Sequence, residues 1–145
     1  MTQAIEILMV EDNPADVELT KEAFNEGKLN NVLNVVSDGE EALNYLHKRG
    51  RFTDAKTPDI VLLDLNLPKV NGKEVLAEMK GSKDLSYIPV IILSSSEDTA
   101  DIKAAYALNA NSFVTKPVAI DDFLEVIKSI EHFWVEIVKL PNNVA

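Results

Sequence analysis

The sequence predicts a doubly wound α/β fold, a five-stranded parallel sheet with helices on both faces. Three observations lead there. Five short runs rich in β-branched residues or Leu alternate with segments whose apolar residues recur at helical spacing. Three of those runs, "IEILMV" (5–10), "IVLLD" (60–64) and "VIILS" (90–94), read as continuous apolar stretches, as strands covered on both faces do. No repeat, low-complexity tract or Gly/Ser linker divides the 145 residues, so one domain spanning 1–145 is expected, with a core over about 5–130 and a helical extension and tail over about 131–145.

The elements follow in order. Strand one, 5–10, leads into a helix with a sharp start: Asn13 as N-cap, Pro14 at the first helical position and Asp16 in the first turn, with Val17, Ala23 and Phe24 on its apolar face. Strand two is "VLNVV" (32–36), and helix two, after Gly39, sets Ala42, Leu43 and Leu46 on one face. Strand three, 60–64, precedes helix three, where Val75, Leu76 and Met79 follow Gly72. Strand four, 90–94, precedes helix four with Ile102, Ala105 and Tyr106. Strand five is "SFVT" (112–115), and a fifth helical pattern runs from about 121 to about 139. Short strands joined through helices pair in parallel by right-handed crossovers.

Composition narrows the function. A formal charge of −10 with no basic stripe argues against direct DNA binding. The absence of cysteine removes disulfides and thiolate metal sites and fits a reducing cytoplasm. The N-terminus carries no signal-peptide pattern, and no apolar run approaches the roughly 20 residues of a membrane span.

In doubly wound sheets ligands bind beyond the carboxyl ends of the strands. Here strand one finishes in Glu11-Asp12, strand three in Asp64, strand four in Ser94-Ser95-Ser96 and strand five in Thr115-Lys116-Pro117. If these strands are neighbours, three carboxylates, a hydroxyl cluster and one ammonium share a rim. Carboxylates so crowded require a proton or a cation between them. Oxygen ligands alone suit a hard ion, and Mg²⁺ fits a few carboxylates, several waters and a phosphate oxygen, with Mn²⁺ or Ca²⁺ able to substitute in vitro. A fixed carboxylate beside such a site suits phosphoryl transfer to the carboxylate itself. Ser94 and the backbone N–H groups after Asp64 and Ser94 are candidate donors to the phosphoryl oxygens, while Pro68 and Gly72 shape the turn beside the metal.

Four blocks in order, "VEDNPAD", "LLDLNLPKVNG", "PVIILSSSED" and "SFVTKPV", resemble the receiver domain of two-component response regulators over residues 5 to about 130. The resemblance implies the flavodoxin-like strand order 2-1-3-4-5, with five helices. It implies Asp64 as phosphoacceptor, Glu11 and Asp12 as the acidic pair holding the metal with Asp64, and the Asn66 backbone carbonyl as a further ligand. Ser94 is implied as the switch hydroxyl beside Ser95, Lys116 as its partner at the phosphoryl group, and Phe113 as the aromatic switch position. Asn66 and Ser96 fall where side chains tune dephosphorylation, and Pro117 where a cis peptide is expected. Ser94 stands for the commoner threonine and keeps the hydroxyl. Phe113 stands for tyrosine and has no phenol. Longer matches, ending in "SIEHFWVEIVKLP", are similar to the small single-domain response regulators of cyanobacterial-type phytochrome histidine kinases. The implied function is a cytoplasmic phosphoacceptor without an output domain, which takes its phosphoryl group from a sensor histidine kinase and dephosphorylates itself slowly.

The last helical pattern would span about 28 Å, against roughly 17 Å for the strands it covers. One stripe holds Phe123, Ile127, Ile130, Trp134 and Ile137; a second holds Val126, Ile130, Phe133, Ile137 and Leu140. Either the helix folds tightly over its own domain, or it makes a homodimer contact, since one domain can hardly bury both stripes, with Phe133, Trp134, Ile130 and Ile137 as candidates. The resemblance places such a dimer on the face formed by helix four, strand five and the fifth helix. His47 and His132 have no second imidazole at ligand spacing and are not expected to bind a metal.

Three other functions compete. An aspartyl-phosphate phosphohydrolase needs an acid two residues after its nucleophile, where Asn66 stands. A flavodoxin-like cofactor binder needs a phosphate-cradling loop after strand one, where "EDNPAD" is acidic. A docking module that is never phosphorylated would have no need of the complete set Glu11, Asp12, Asp64, Ser94 and Lys116.

Overall fold

The computed structural model describes residues 4–25, 31–67, 69–95 and 99–116, together with residues 121, 125, 128 and 129. Within them lie β1 (Ile5–Val10), α1 (Pro14–Asn25), β2 (Asn31–Val36), α2 (Gly39–Leu46), β3 (Ile60–Leu63), α3 (Gly72–Gly81), β4 (Val90–Ser94), α4 (Thr99–Ala107) and β5 (Ser112–Thr115). The sheet has the order β2-β1-β3-β4-β5, parallel throughout. The expected order and strand boundaries therefore hold, except that β2 begins one residue earlier and β3 ends at Leu63, leaving Asp64 just past the strand. The fifth helical pattern, with Ile130, Phe133, Trp134 and Ile137, falls almost wholly outside the described residues.

Burial follows position in the sheet. β3 and β4, flanked on both sides, are buried at every residue, whereas the edge strands β2 and β5 are mostly half-buried. Alternate residues of the central strands serve the two faces. Leu8, Val10, Val61, Leu63, Val90 and Ile92 pack with Ala42 and Leu46 of α2, Val75, Leu76 and Met79 of α3, and Ala105 of α4. Ile7, Met9, Ile60, Leu62, Ile91 and Leu93 pack on the other face with Ala23 and Phe24 of α1. The apolar stripe expected on α4 needs correction: Ala105 is buried and Ile102 half-buried, but Tyr106 is 48% exposed. Its phenol is drawn outward to β5, where the Oη accepts from the Phe113 N–H at 3.1 Å.

The helix starts are set by side-chain caps. Asn13 Oδ1 accepts from Ala15 N at 2.9 Å and from Asp16 N at 3.4 Å, as expected. Asp38 Oδ1 caps α2 through Glu41 N at 2.7 Å, and Asn71 Oδ1 caps α3 through Glu74 N at 3.0 Å.

Two glycines let the β3–α3 turn close tightly. A Cβ on Gly72 would lie 2.2 Å from the Asp64 carbonyl oxygen, and one on Gly39 1.7 Å from the Val70 carbonyl oxygen. Both obstacles are backbone and cannot swing aside. The Gly72 N–H donates to Leu65 O at 2.9 Å, closing the turn on the residue after Asp64. Gly81, at the end of α3, has nothing within 4 Å of such a Cβ. Gly72→Ala is therefore expected to lower unfolding stability by about 2 kcal/mol or more, while Gly81→Ala stays within about 0.5 kcal/mol of wild type. Urea denaturation of the two variants checks this.

Candidate metal and phosphoryl site

Main-chain hydrogen bonds carry the site residues past the ends of their strands. Glu11 N donates to Val36 O at 3.0 Å, Asp64 N to Val10 O at 3.1 Å, and Lys116 N to Ser94 O at 2.7 Å. Each residue is thus held by the neighbouring strand, and its side chain leaves a backbone already fixed by the ladder.

The expected convergence is present. Carboxylate oxygens of Glu11, Asp12 and Asp64 lie within 4.8 Å of one another, a set able to hold a metal ion. Glu11 and Asp64 are buried, at 2% and 7% exposure, while Asp12 faces solvent. Asp64 Oδ1 accepts from Asn66 N at 3.2 Å, and Glu11 Oε2 from Asn13 N at 3.3 Å. Lys116 crosses from the edge strand to the same point. Its Nζ donates to Glu11 Oε1 and to Asp16 Oδ2 at 2.9 Å, and stands 3.5 Å from Asp64 Oδ2.

The electrostatics follow from this crowding. Burial pushes the Glu11 carboxyl up to about 7; the Lys116 ammonium opposes the shift and the Asp64 carboxylate adds to it. Burial works against the charge on Lys116, but its bonds to Glu11 and Asp16 and the field of Asp64 outweigh it and raise its pKa. The donor set is all oxygen, anionic and partly open to water through Asp12, which fits a hard divalent ion such as Mg²⁺ or Mn²⁺. Glu11, Asp12 and Asp64 are the side chains that would hold it.

The other expected residues take different places. Ser94 is fully buried at the end of β4, opposite Thr115, and Ser95 is exposed beyond it. Phe113 is half-buried on β5 opposite Ile92, against the face that α4 covers. Asn66 lines a recess of about 470 Å³ with Asp12, Leu65, Leu67, Asn71, Lys73 and Asp101. Pro68, Ser96, Pro117 and His132 lie outside the described residues. His47 Nε2 stands 3.3 Å from Glu78 Oε1 of α3 without hydrogen-bonding it.

Two features were not legible beforehand. Asp16 reads in sequence only as a first-turn helix acid, yet it binds Lys116 from one hundred residues away. Lys73 at the start of α3 binds Asp101 at the start of α4 at 2.7 Å, across the recess. Helical spacing gives no signal for either pairing, because each depends on which helix starts lie beside each other.

Metal binding requires Glu11 without its proton. With the carboxyl held near 7, protons compete in the neutral range, and Mg²⁺ affinity is expected to fall by up to about tenfold per pH unit below about 7 and to level off above it. Without metal the sign for folding is the reverse. An acid raised in the folded state binds more protons there than in the unfolded chain, so this group's contribution to stability falls as pH rises from 4.5 to about 7. Calorimetric Mg²⁺ titrations and thermal melts across pH 5–8 test both signs.

The comparisons with known proteins agree with this geometry. The family model described as "Response regulator receiver domain" matches residues 7–128. Response regulator Rcp1 of Synechocystis sp. is 40% identical over 135 residues, covering 93% of this chain and 92% of that protein. The crystal structure of the Mn²⁺-bound form of Rcp1 superposes with a TM-score of 0.92 at 39% identity, covering 94% of this chain and 99% of the other. That of the phosphorylated cyanobacterial phytochrome response regulator RcpA gives 0.94 at 41% identity, covering 96% and 99%. With its sheet order, its acidic rim and its buried lysine, the chain belongs to the receiver domain family of two-component response regulators.

Proposed function

We propose that this protein is a signalling phosphoacceptor in which Asp64 takes a phosphoryl group from the phosphohistidine of a sensor kinase. The observation that carries the reading is Asp64 itself. It is a buried carboxylate on a backbone bonded to Val10 and followed by a turn that Gly72 closes on Leu65, and it meets two further acids and one ammonium at the carboxyl rim of the sheet. An Asp64 Oδ attacks phosphorus, the P–N bond breaks, and the imidazole leaves with the electron pair and takes up a proton. Glu11, Asp12, Asp64 and the Asn66 backbone carbonyl would hold Mg²⁺, which would supply charge neutralisation at the phosphoryl oxygens. Lys116, already 3.5 Å from Asp64, pairs with a phosphoryl oxygen, and the Ser94 hydroxyl with another. Hydrolysis returns Asp64 when water attacks phosphorus and the P–O bond to the carboxylate breaks.

The remaining proposals follow from the same reading. Residues 1–145 form one receiver domain, cytoplasmic and without contact to DNA. Asn66 and Ser96 tune the lifetime of the phosphoryl group, Ser95 assists Ser94, Phe113 is the aromatic switch, and the bond before Pro117 is cis. Similarity to the cyanobacterial phytochrome response regulator RcpA, and to bacteriophytochrome response regulators at 44% and 40% identity, supports a phytochrome kinase as donor. The two apolar stripes of the last helical pattern support a homodimer through Ile130, Phe133, Trp134 and Ile137, with the face of α4, β5 and that last helical pattern. A phosphohydrolase is disfavoured by Asn66, since a side-chain amide beside Asp64 does not shuttle protons.

Incubation with acetyl phosphate or a phytochrome kinase and Mg²⁺ is expected to give one acid-stable, base-labile phosphoryl group per chain, lost in EDTA and in Asp64→Asn. Labelling of Asp64→Asn to the wild-type level would falsify the assignment. Lys116→Ala is expected to slow labelling by about 100-fold or more, consistent with removal of a cation from a phosphoryl-transfer site.

A further inference from the structure

Lys116 has more anionic partners than a single phosphoacceptor requires. Its side chain is 9% exposed and faces Glu11, Asp16 and Asp64 at once. Two of the three, Glu11 and Asp64, belong to the cluster whose oxygens lie close enough to share a metal ion; Asp16 does not. Ammonium and divalent cation therefore draw on the same two carboxylates and compete for their charge. Asp16 is the acid that stands outside the cluster. Its carboxylate is 2.9 Å from the ammonium, and the Asn13 side chain fixes its place in the first turn of α1 by accepting from the N–H groups of Ala15 and Asp16. Asn13 N in turn donates to Glu11 Oε2, so one short segment sets the spacing between the metal's acid and the lysine's acid.

We propose that Asp16 is a positioning residue for Lys116, retaining the ammonium at the rim while a divalent cation occupies Glu11, Asp12 and Asp64. With Asp16 bound to the ammonium, Glu11, Asp12 and Asp64 are left to the divalent ion, so both cations are held together. Without Asp16 the ammonium has only the metal's ligands to bind, and it competes with the metal. An acid at this point also favours the positive end of the α1 dipole. That role is independent of Lys116, which separates the two explanations.

The proposal rests on the metal-site part of the reading above and is tested by calorimetric Mg²⁺ titration of the unphosphorylated protein. The variants are Asp16→Asn, Asp16→Ser, Lys116→Met and the double variants, with thermal melts run on each. Asp16→Asn and Asp16→Ser are expected to weaken Mg²⁺ binding about fivefold when Lys116 is present and less than about twofold with Lys116→Met. Asp16→Glu is expected to bind within about twofold of wild type, since it keeps the charge. Equal weakening on both backgrounds overturns the proposal in favour of a general field or helix-dipole effect, and unchanged binding in Asp16→Asn overturns it outright. Failure of the wild-type protein to bind Mg²⁺ would instead overturn the metal-site reading, and this inference with it.

Discussion

Like-charge crowding at the carboxyl rim of the sheet is the constraint on which the rest of this structure depends. Glu11 and Asp64 are buried, Asp12 stands beside them, and the three can share one ion. Buried carboxylates at that separation are destabilising unless a positive charge joins them. The chain supplies part of that charge through Lys116, and Asp16 joins the same ammonium from α1. Burial, with the Asp64 carboxylate beside it, makes Glu11 hold its proton more tightly than an ordinary glutamate, and the Lys116 ammonium only partly opposes this. The three carboxylates outnumber the one ammonium, and that excess suits a divalent cation.

The surrounding scaffold keeps those acids from relaxing apart. Glu11 and Asp64 each follow a strand whose last residues are paired and buried, and the next main-chain bond passes into the residue that carries the charge. Beyond Asp64 the chain turns back so closely that only glycine fits at 72, and the start of α2 approaches the same turn so closely that only glycine fits at 39. Lys69 within this turn has φ of 64°, a left-handed conformation unusual for a side chain of its kind, with Asp38 and Glu40 at 3.8 and 4.0 Å from its ammonium. The apolar layers on both faces oppose movement of the strands, so the reactive tip inherits the rigidity of the core.

Much of this was legible from residues. Val61, Leu62 and Leu63 read as a strand covered on both faces, and they are. Glu11, Asp12, Asp64 and Lys116 were placed at one rim because each follows an apolar strand, and strand ends in a parallel sheet share an edge. Asn13 was read correctly as a cap, because capping depends on residues two and three places away. Tyr106 was misread. Spacing alone assigned it to a buried stripe, yet its hydroxyl finds a partner on the outer side of β5, which has no strand beyond it among the described residues. Asp38 and Asn71 as caps, and the pairing of Lys73 with Asp101, had no reading beforehand.

By itself the sequence determined the periodicities, and with them the number and kind of the described elements, their parallel pairing and the set of charges at the strand ends. These are local properties, decided by residues a few positions apart. Only the tertiary structure decided which charges meet. Lys116 reaches across the sheet from an edge strand, and whether its ammonium stops at Glu11, Asp16 or Asp64 depends on the stagger of four strands and the approach of one helix. Asp64 was visible in the sequence as an acid at the tip of a buried strand. Its company was fixed by the packing, because electrostatic energy depends on separation in space and not along the chain.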